Sequence, residues 1–202
     1  MALKIAFGFE KGKRGEVAGI LYEAFEDKYA PVYGRKHSIP IMAKYLRSDR
    51  TVIATIDADV VGVAGLNFNG KEFIDISPWQ ELYELKLGIF RALFNGWVFS
   101  IGLNEKELHI NDLAVASDMR GKGIGTSMLE FIMRFAQSNG YEEISLLVID
   151  KNQMAKKLYE RMGFREEKIR KLHYPWTTIF GFKKMSKMVL KVTTTLGSKD
   201  TA

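Results

Sequence analysis

Two patterns of apolar residues alternate along the chain, and together they predict a fold that mixes strands with helices. Alternating, β-branched or continuous apolar runs predict strands over residues 3–9, 51–56, 60–68, 107–115, 144–149, 164–172 and 187–192. Apolar residues at helical spacing predict helices over 15–28, 38–46, 77–93, 124–138 and 152–162. Because the run at 144–149 is apolar at nearly every position, we expect that strand to be buried on both faces.

Turn and cap residues divide these elements. Asp57-Ala58-Asp59 and Asn69-Gly70 predict tight turns beside the strands at 51–56 and 60–68. Ser38 precedes Ile39-Pro40 and predicts the N-cap of the second helix. Asn139-Gly140 predicts the end of the helix that begins near residue 124.

The composition is that of an ordinary globular protein. With 202 residues, 47% apolar and 27% charged, the chain is expected to form one domain with its own core. It has no cysteine, which excludes disulfides, thiolate zinc sites, iron–sulfur clusters and a cysteine nucleophile. We predict no metal site and a cytoplasmic location. We expect no signal peptide. Because the best candidate membrane span, 85–101, is interrupted by charges and glycines, we also expect no membrane association.

Positive charge is concentrated toward the C-terminus. Residues 1–150 carry 17 Lys/Arg and 20 Asp/Glu, whereas residues 151–202 carry 13 and 4, which gives balances of −3 and +9. This segment is either a solvated basic face or the place where an anion approaches, such as a phosphorylated cofactor or a nucleic acid. Because no nucleic-acid-binding motif accompanies the charge, we do not expect a nucleic-acid partner.

A glycine-rich segment, Arg120-Gly-Lys-Gly-Ile-Gly-Thr126, lies between a predicted strand and a predicted helix. Free amides at a helix N-terminus hold phosphate well, although such a segment can also be a tight turn that needs small residues. The Walker pattern is absent from the sequence. The spacing Gly-x-Gly-x-Gly differs from the Rossmann pattern. Asp150 is at the end of the next predicted strand, where a dinucleotide-binding fold has its ribose-binding acid, and this one residue leaves that fold as an alternative.

The same segment matches the Arg/Gln-x-x-Gly-x-Gly/Ala signature of the GNAT acetyltransferases, and the preceding strand ends in Asp112-Leu-Ala-Val115 as in that superfamily. A second block that is similar to the family follows in the correct order: Val148, Asn152, Ala155, Leu158-Tyr159-Glu160 and Gly163-Phe164. The chain therefore resembles a GNAT N-acetyltransferase across roughly 107–172.

The resemblance implies an α/β (α+β) fold. Its centre is a mixed, mostly antiparallel twisted sheet of about seven strands, flanked by four or five helices. We expect one such domain over 1–193 and a tail over 194–202. It also implies acetyl-CoA as cofactor, held by the strand end, the glycine segment and one asparagine. Those residues are Leu113, Ala114, Val115, Arg120, Gly121, Lys122, Gly123, Ile124, Gly125, Thr126 and Asn152.

The resemblance implies direct attack by a primary amine in a ternary complex. Tyr159 resembles the general acid that protonates the departing thiolate. The amine must lose a proton, and Asp112 is the first candidate to take it, ahead of Glu107 and His109, with a water relay as the alternative. Some family members carry a glutamate where this chain has Asn111.

The acceptor is expected to be a small-molecule or peptide amine. Aromatic residues of two segments are predicted to line its mouth: Trp79, Tyr83, Tyr174, Trp176 and Phe180. The superfamily implies a monomer or a homodimer. The competing hypotheses are an acyl-CoA-binding module without turnover and a nucleic-acid-binding protein.

Overall fold

A computed structural model describes residues 2–76, 80, 104–174 and 176–192. Seven strands form one sheet in the order β1-β2-β3-β4-β5-β7-β6, in which only β4 and β5 are parallel neighbours. The strands are β1 (Lys4–Phe7), β2 (Thr51–Ile56), β3 (Asp59–Asn67), β4 (Glu107–Val115), β5 (Glu143–Ile149), β6 (Arg165–Lys171) and β7 (Lys184–Lys191).

Helices cover both faces of the sheet. Within the described ranges they are α1 (Arg14–Ala24), α2 (Glu26–Tyr33), α3 (Ser38–Tyr45), α4 (Ile124–Ser138), α5 (Gln153–Arg161) and the short α6 (Trp176–Phe180). One apolar cluster joins α1 and α3 to the sheet through residues such as Leu21, Met42 and Val63. A second cluster joins α4 and α5 to the opposite face, with Met128 and Ile132 fully buried.

β4 contains a bulge at Asn111. Gly65 of β3 faces Asp112 and the next residue, Leu66, faces Ile110, so Asn111 is the extra residue. A bulge bends its strand and shifts the alternation of side chains by one position. As a result Asp112 lies on the same face of the sheet as His109.

Two glycines of β3 allow close packing across the sheet. A Cβ on Gly65 would overlap the ring of Phe73, and a Cβ on Gly62 would lie 2.7 Å from the sulfur of Met128. Phe73 is 2% exposed and belongs to the α1 and α3 cluster. These positions therefore need glycine because there is no space for a side chain.

Most predicted elements are confirmed. β2 and β4 have the predicted bounds, and the other strands differ by a few residues at their ends. The predicted helix over 15–28 is two helices, because Phe25 adopts a non-helical conformation with φ −130° and ψ 33° between them. The predicted N-cap at Ser38 is wrong by one residue, since His37 caps α3 and Ser38 begins it. The predicted helix over 77–93 lies outside the described residues, apart from residue 80.

Among the described residues, no helix combines the length and the apolar character needed to span a bilayer.

Candidate functional site

The site is a wedge between the two parallel strands. β4 pairs with β5 only from Glu107 to Ile110, although both strands continue beyond that point. The bulge at Asn111 coincides with the place where pairing stops. A cavity of about 370 Å³ opens in the wedge, bounded by the end of α1, the start of α2, the two strands, one face of α5 and the start of β7.

Beyond Ile110, the edge of β4 that faces the wedge has no strand partner among the described residues. The amide of Ala116 donates to Val61 of β3 at 3.0 Å. Because successive residues of a strand direct their main-chain groups to opposite sides, Leu113 and Val115 direct theirs away from β3. The carbonyl of Val115 accepts a bond from Nε of Arg120 at 3.1 Å, which ties the glycine segment to the strand end.

The glycine segment forms an open turn at the N-terminus of α4. Gly121 and Gly123 have φ angles of +77° and +81°, and a Cβ on either would meet nothing within 4 Å. The amide of Ser127 donates to the carbonyl of Gly123 at 3.0 Å. Among the described residues, it is the first amide after Arg120 that is bonded to a main-chain carbonyl. The preceding amides, from Gly121 to Thr126, are thus available to an anion, which the helix dipole also favours.

Tyr159 lies on α5, 7% exposed, in the wall of the cavity. Its ring packs 5.9 Å from that of Phe164, centroid to centroid. Burial, and then the nearby carboxylate of Asp112, raise the pKa of Tyr159 above its usual value. The hydroxyl, whose ordinary pKa of 10 already lies well above neutral pH, is therefore firmly protonated at neutral pH.

Asp112 lies on the same wall, 3% exposed, and its carboxylate is held by three side chains. Lys28 donates to Oδ1 at 2.6 Å, Tyr29 donates to Oδ2, and the Asn111 amide donates to Oδ2 at 3.2 Å. Burial and the Asp112 charge raise the pKa of Tyr29. The carboxylate is an anchor that fixes α2 against β4.

A second polar group continues along the same face of the sheet. His109 lines the cavity, 3% exposed, and its Nδ1 lies 2.8 Å from Oγ of Ser145 on β5. Oε1 of Glu107 lies 3.0 Å from the ammonium of Lys187 on β7, and Oε2 accepts from the amide of Asn104 at 3.3 Å. Burial acts to raise the pKa of Glu107, but these bonds outweigh it and the pKa is lowered. Burial, and then the charge of Lys28, lower the pKa of His109 from 6.5 to about 4.

The remaining predicted site residues are placed in different ways. Asn152 lines the cavity, while its side-chain oxygen caps α5 by accepting from the Ala155 amide at 3.1 Å. Trp79 and Tyr83 lie outside the described residues. Tyr174 is 84% exposed.

Trp176 and Phe180 pack in a third apolar cluster with Phe182 and Met185. Of these four, Phe182 and Met185 line the cavity. Trp176 and Phe180, which were predicted to line the acceptor mouth, pack in the same cluster and do not line the cavity. Lys28 and Tyr29 have no local sequence signal as site residues, because they meet Asp112 from 84 and 83 positions away.

Comparisons with known proteins agree with this geometry. A family model described as "Acetyltransferase (GNAT) family" matches residues 19–164. The probable N-acetyltransferase camello of Xenopus laevis is 27% identical over 140 residues, which cover 68% of this chain and 49% of that protein. The uncharacterized N-acetyltransferase YycN of Bacillus subtilis is 34% identical over 93 residues, which cover 45% of this chain and 58% of that protein. The matches thus span about half the length of these relatives.

Solved structures share the fold. The ribosomal-protein-S18-alanine N-acetyltransferase from Escherichia coli has a TM-score of 0.61 at 17% identity, covering 100% of this chain and 99% of that one. A putative acetyltransferase from Salmonella typhimurium with its cofactor acetyl-CoA has a TM-score of 0.63 at 14% identity, covering 96% and 95%. With the family match over most of its length, the chain belongs to the GNAT family of acetyltransferases, whose members use acetyl-CoA.

Proposed function

We propose that this protein is an N-acetyltransferase that moves an acetyl group from acetyl-CoA to a primary amine by direct attack in a ternary complex. The observation that carries the proposal is the wedge between β4 and β5, whose cavity is lined by the buried Tyr159 and by the end of β4, the strand that leads into the glycine turn. A donor with a diphosphate in its middle and a thioester at one end matches those two features. When bound, acetyl-CoA supplies the activated acyl group.

The fit to the cofactor rests on the chain's own main-chain groups. The amides of Gly121 to Thr126 would hold the diphosphate, with added charge from Arg120 or Lys122. The outward-facing groups of Leu113 and the amide of Val115 would pair with the pantetheine arm as a neighbouring strand does.

Tyr159 would act as the general acid. Its hydroxyl is protonated at neutral pH, as a tyrosine with the ordinary pKa of 10 is, so it has a proton to give to the sulfur as the C–S bond breaks; the raised pKa strengthens its hold on that proton until negative charge develops on the sulfur. Tyr159 lines the cavity, where the thioester of the donor would lie. Loss of the hydroxyl should therefore slow the chemical step more than it weakens binding of the cofactor.

The assignment of Asp112 as the base stays a prediction. Because Lys28, Tyr29 and Asn111 already occupy three acceptor sites of this carboxylate, direct proton transfer to Asp112 would have to use the remaining one. We propose that its main role is to hold Lys28 and Tyr29 at the mouth of the cavity, where the amine enters.

The test is release of free CoA thiol from acetyl-CoA in the presence of a mixed library of amines. The chain has no cysteine, so a thiol reagent meets no background from the protein itself. Mass spectrometry of the reacted library then identifies the acetylated amine. We expect release with at least one amine class. Protection of the fold by acetyl-CoA without release for any amine would instead indicate a binding module.

Tyr159→Phe is expected to lower kcat by about 100-fold or more and to keep the affinity for acetyl-CoA. The matched control is Tyr141→Phe, because Tyr141 is also buried, at 6% exposure, but its hydroxyl bonds Asn69 at 3.3 Å, away from the cavity. Equal rates for the two variants would contradict the role given to Tyr159.

A further inference from the structure

We propose that Lys28 is a self-acetylation site: when no acceptor amine is present, the donor in the cavity transfers its acetyl group to Nζ of this residue. The inference rests on the proposed acetyl transfer and deepens it by naming one amine that the site can modify. It starts from the composition of the cavity wall, which already contains a primary amine of the chain itself.

The amine of Lys28 lies in the part of the cavity where an acceptor has to be. Lys28 is in the first turn of α2 and lines the cavity together with Asp112 and Tyr159. Its Nζ atom is 2.6 Å from Oδ1 of Asp112, and the charge of the same carboxylate acts on the hydroxyl of Tyr159. The amine and the proposed general acid therefore lie on either side of one carboxylate. That carboxylate directly precedes Leu113, where we propose that the donor pairs with β4.

Aromatic rings keep this amine on the cavity side of α2. The Lys28 side chain is only 20% exposed. Its Nζ atom lies 5.8 Å from the centroid of the Phe25 ring and 5.2 Å from that of the Tyr29 ring, within the range of a cation–π contact. Phe25 also lines the cavity. Because the lysine stem is flexible, Nζ can turn from Asp112 toward a neighbouring thioester without any movement of the main chain.

The ion pair makes the reaction slow. An ammonium has no lone pair, so only the neutral amine attacks a thioester. The contact with the Asp112 carboxylate favours the ammonium form of Lys28, which leaves a small neutral fraction at any moment. We therefore expect self-acetylation to be much slower than transfer to an acceptor amine, and to accumulate when acetyl-CoA is present without one.

The step exchanges the same bonds as transfer to an external amine. The ammonium of Lys28 first releases one proton to water. The neutral Nζ then forms a bond to the acetyl carbon, the C–S bond breaks, and its electron pair leaves on sulfur. The nitrogen loses its second proton to water, while Tyr159 gives its proton to the sulfur and regains one from water. The products are acetyl-Lys28, the free thiol and one proton in solution.

Acetylation removes the cation that pairs with Asp112. The acetylated side chain is neutral and longer, so a carboxylate in a residue that is 3% exposed loses its charged partner. The added acetyl group also takes up space at the cavity wall. We therefore expect acetyl-Lys28 to lower the rate of transfer to other amines, which limits the activity of the protein when acceptor is scarce.

The first test is incubation of the full chain with acetyl-CoA and no amine, followed by digestion and mass spectrometry of every lysine. Lys187 is a matched control within the chain, because its side chain is 18% exposed and its ammonium lies 3.0 Å from Glu107, but it does not line the cavity. We expect Lys28 to be acetylated at least about tenfold faster than Lys187, because only Lys28 is held next to the donor. Equal rates at the two lysines would overturn the inference.

The second test separates catalysed acetylation from the chemical reaction of acetyl-CoA with any lysine. In Tyr159→Phe the rate at Lys28 should fall by about 100-fold, because the departing sulfur has lost its proton donor. Acetylation of the exposed Lys36 should not change. Circular dichroism and acetyl-CoA binding establish that the variant is folded. An unchanged rate at Lys28 would mean that the site contributes nothing to its modification, and would refute the proposal.

The third test measures the consequence for activity. Wild type and Lys28→Arg are incubated with acetyl-CoA alone, and acetyl transfer to the amine found in the library is then followed over time. Arginine keeps a cation beside Asp112, and its guanidinium stays protonated and is not acetylated. We expect the wild type to lose activity during the incubation and Lys28→Arg to keep its own starting rate. The same relative loss in both proteins would contradict the effect given to acetyl-Lys28.

The outcomes distinguish this inference from the proposed function. If an amine of the library is acetylated while Lys28 stays unmodified, the inference is wrong and acetyl transfer stands. If neither an amine nor Lys28 receives an acetyl group, the proposed function fails and the inference fails with it.

Discussion

Mild acid should destabilise the folded protein through one residue, His109. Its pKa is about 4 in the folded state and 6.5 ordinarily, so the unfolded chain binds a proton that the folded protein resists. The free energy of unfolding that the neutral ring contributes is fully present above pH 6.5 and is lost as the pH falls toward 4. With about 1.4 kcal/mol for each pKa unit, the loss between about pH 7 and about pH 5 is about 2 kcal/mol.

The surroundings of His109 support this direction. Lys28 from α2 and Lys187 from β7 both oppose a positive ring, and burial opposes it most. Glu107 on the same strand favours the charged ring but does not outweigh these effects. Because the lowered pKa of Glu107 lies below its ordinary value of 4.5, its own titration falls mostly outside the chosen window.

The assay is urea unfolding of wild type and His109→Gln at both pH values, followed by tryptophan fluorescence. Glutamine cannot titrate, so the variant should lose about 2 kcal/mol less than the wild type on acidification. His173→Gln, at an exposed histidine, should behave as the wild type does. An equal loss in wild type and His109→Gln would refute the reasoning about the buried ring.

Three further substitutions test the packing and the site. Gly65→Ala should destabilise the protein by about 1 to 3 kcal/mol in urea unfolding because its Cβ overlaps Phe73, and adding Phe73→Leu should recover part of the loss. Gly123→Val should raise the KM for acetyl-CoA and lower stability by about 1 to 2 kcal/mol, since a side chain is strained at a φ of +81°; an unchanged KM would argue against the anion site. Lys28→Met should destabilise by about 2 kcal/mol, because it leaves the buried Asp112 without its cation, and a neutral result by thermal unfolding would contradict that anchor.

The sequence predicts the strands well where local pattern and burial agree. β2 and β4 are found at the predicted bounds because each is a β-branched or apolar run set off by turn residues. The turn between β2 and β3 is also where Asp57 and Ala58 adopt positive φ. The break at Phe25 was missed because the apolar spacing continues through it, and only tertiary packing separates α1 from α2.

The site was predictable only in part, and for a physical reason. The glycine segment and Tyr159 follow from local motifs with fixed spacing. The bulge at Asn111 has no local signal, because it depends on how β4 pairs with β3. The bond between His109 and Ser145 joins residues 36 positions apart, so it is set by strand register alone.

The most direct test of the account is a crystal structure of this protein with coenzyme A. The account predicts that the diphosphate is bound by the amides between Gly121 and Thr126. It also predicts that the pantetheine arm follows the open edge of β4 at Leu113 and that the sulfur lies beside Tyr159. If the ligand is bound outside the wedge, or the glycine turn makes no contact with it, the central claim is wrong.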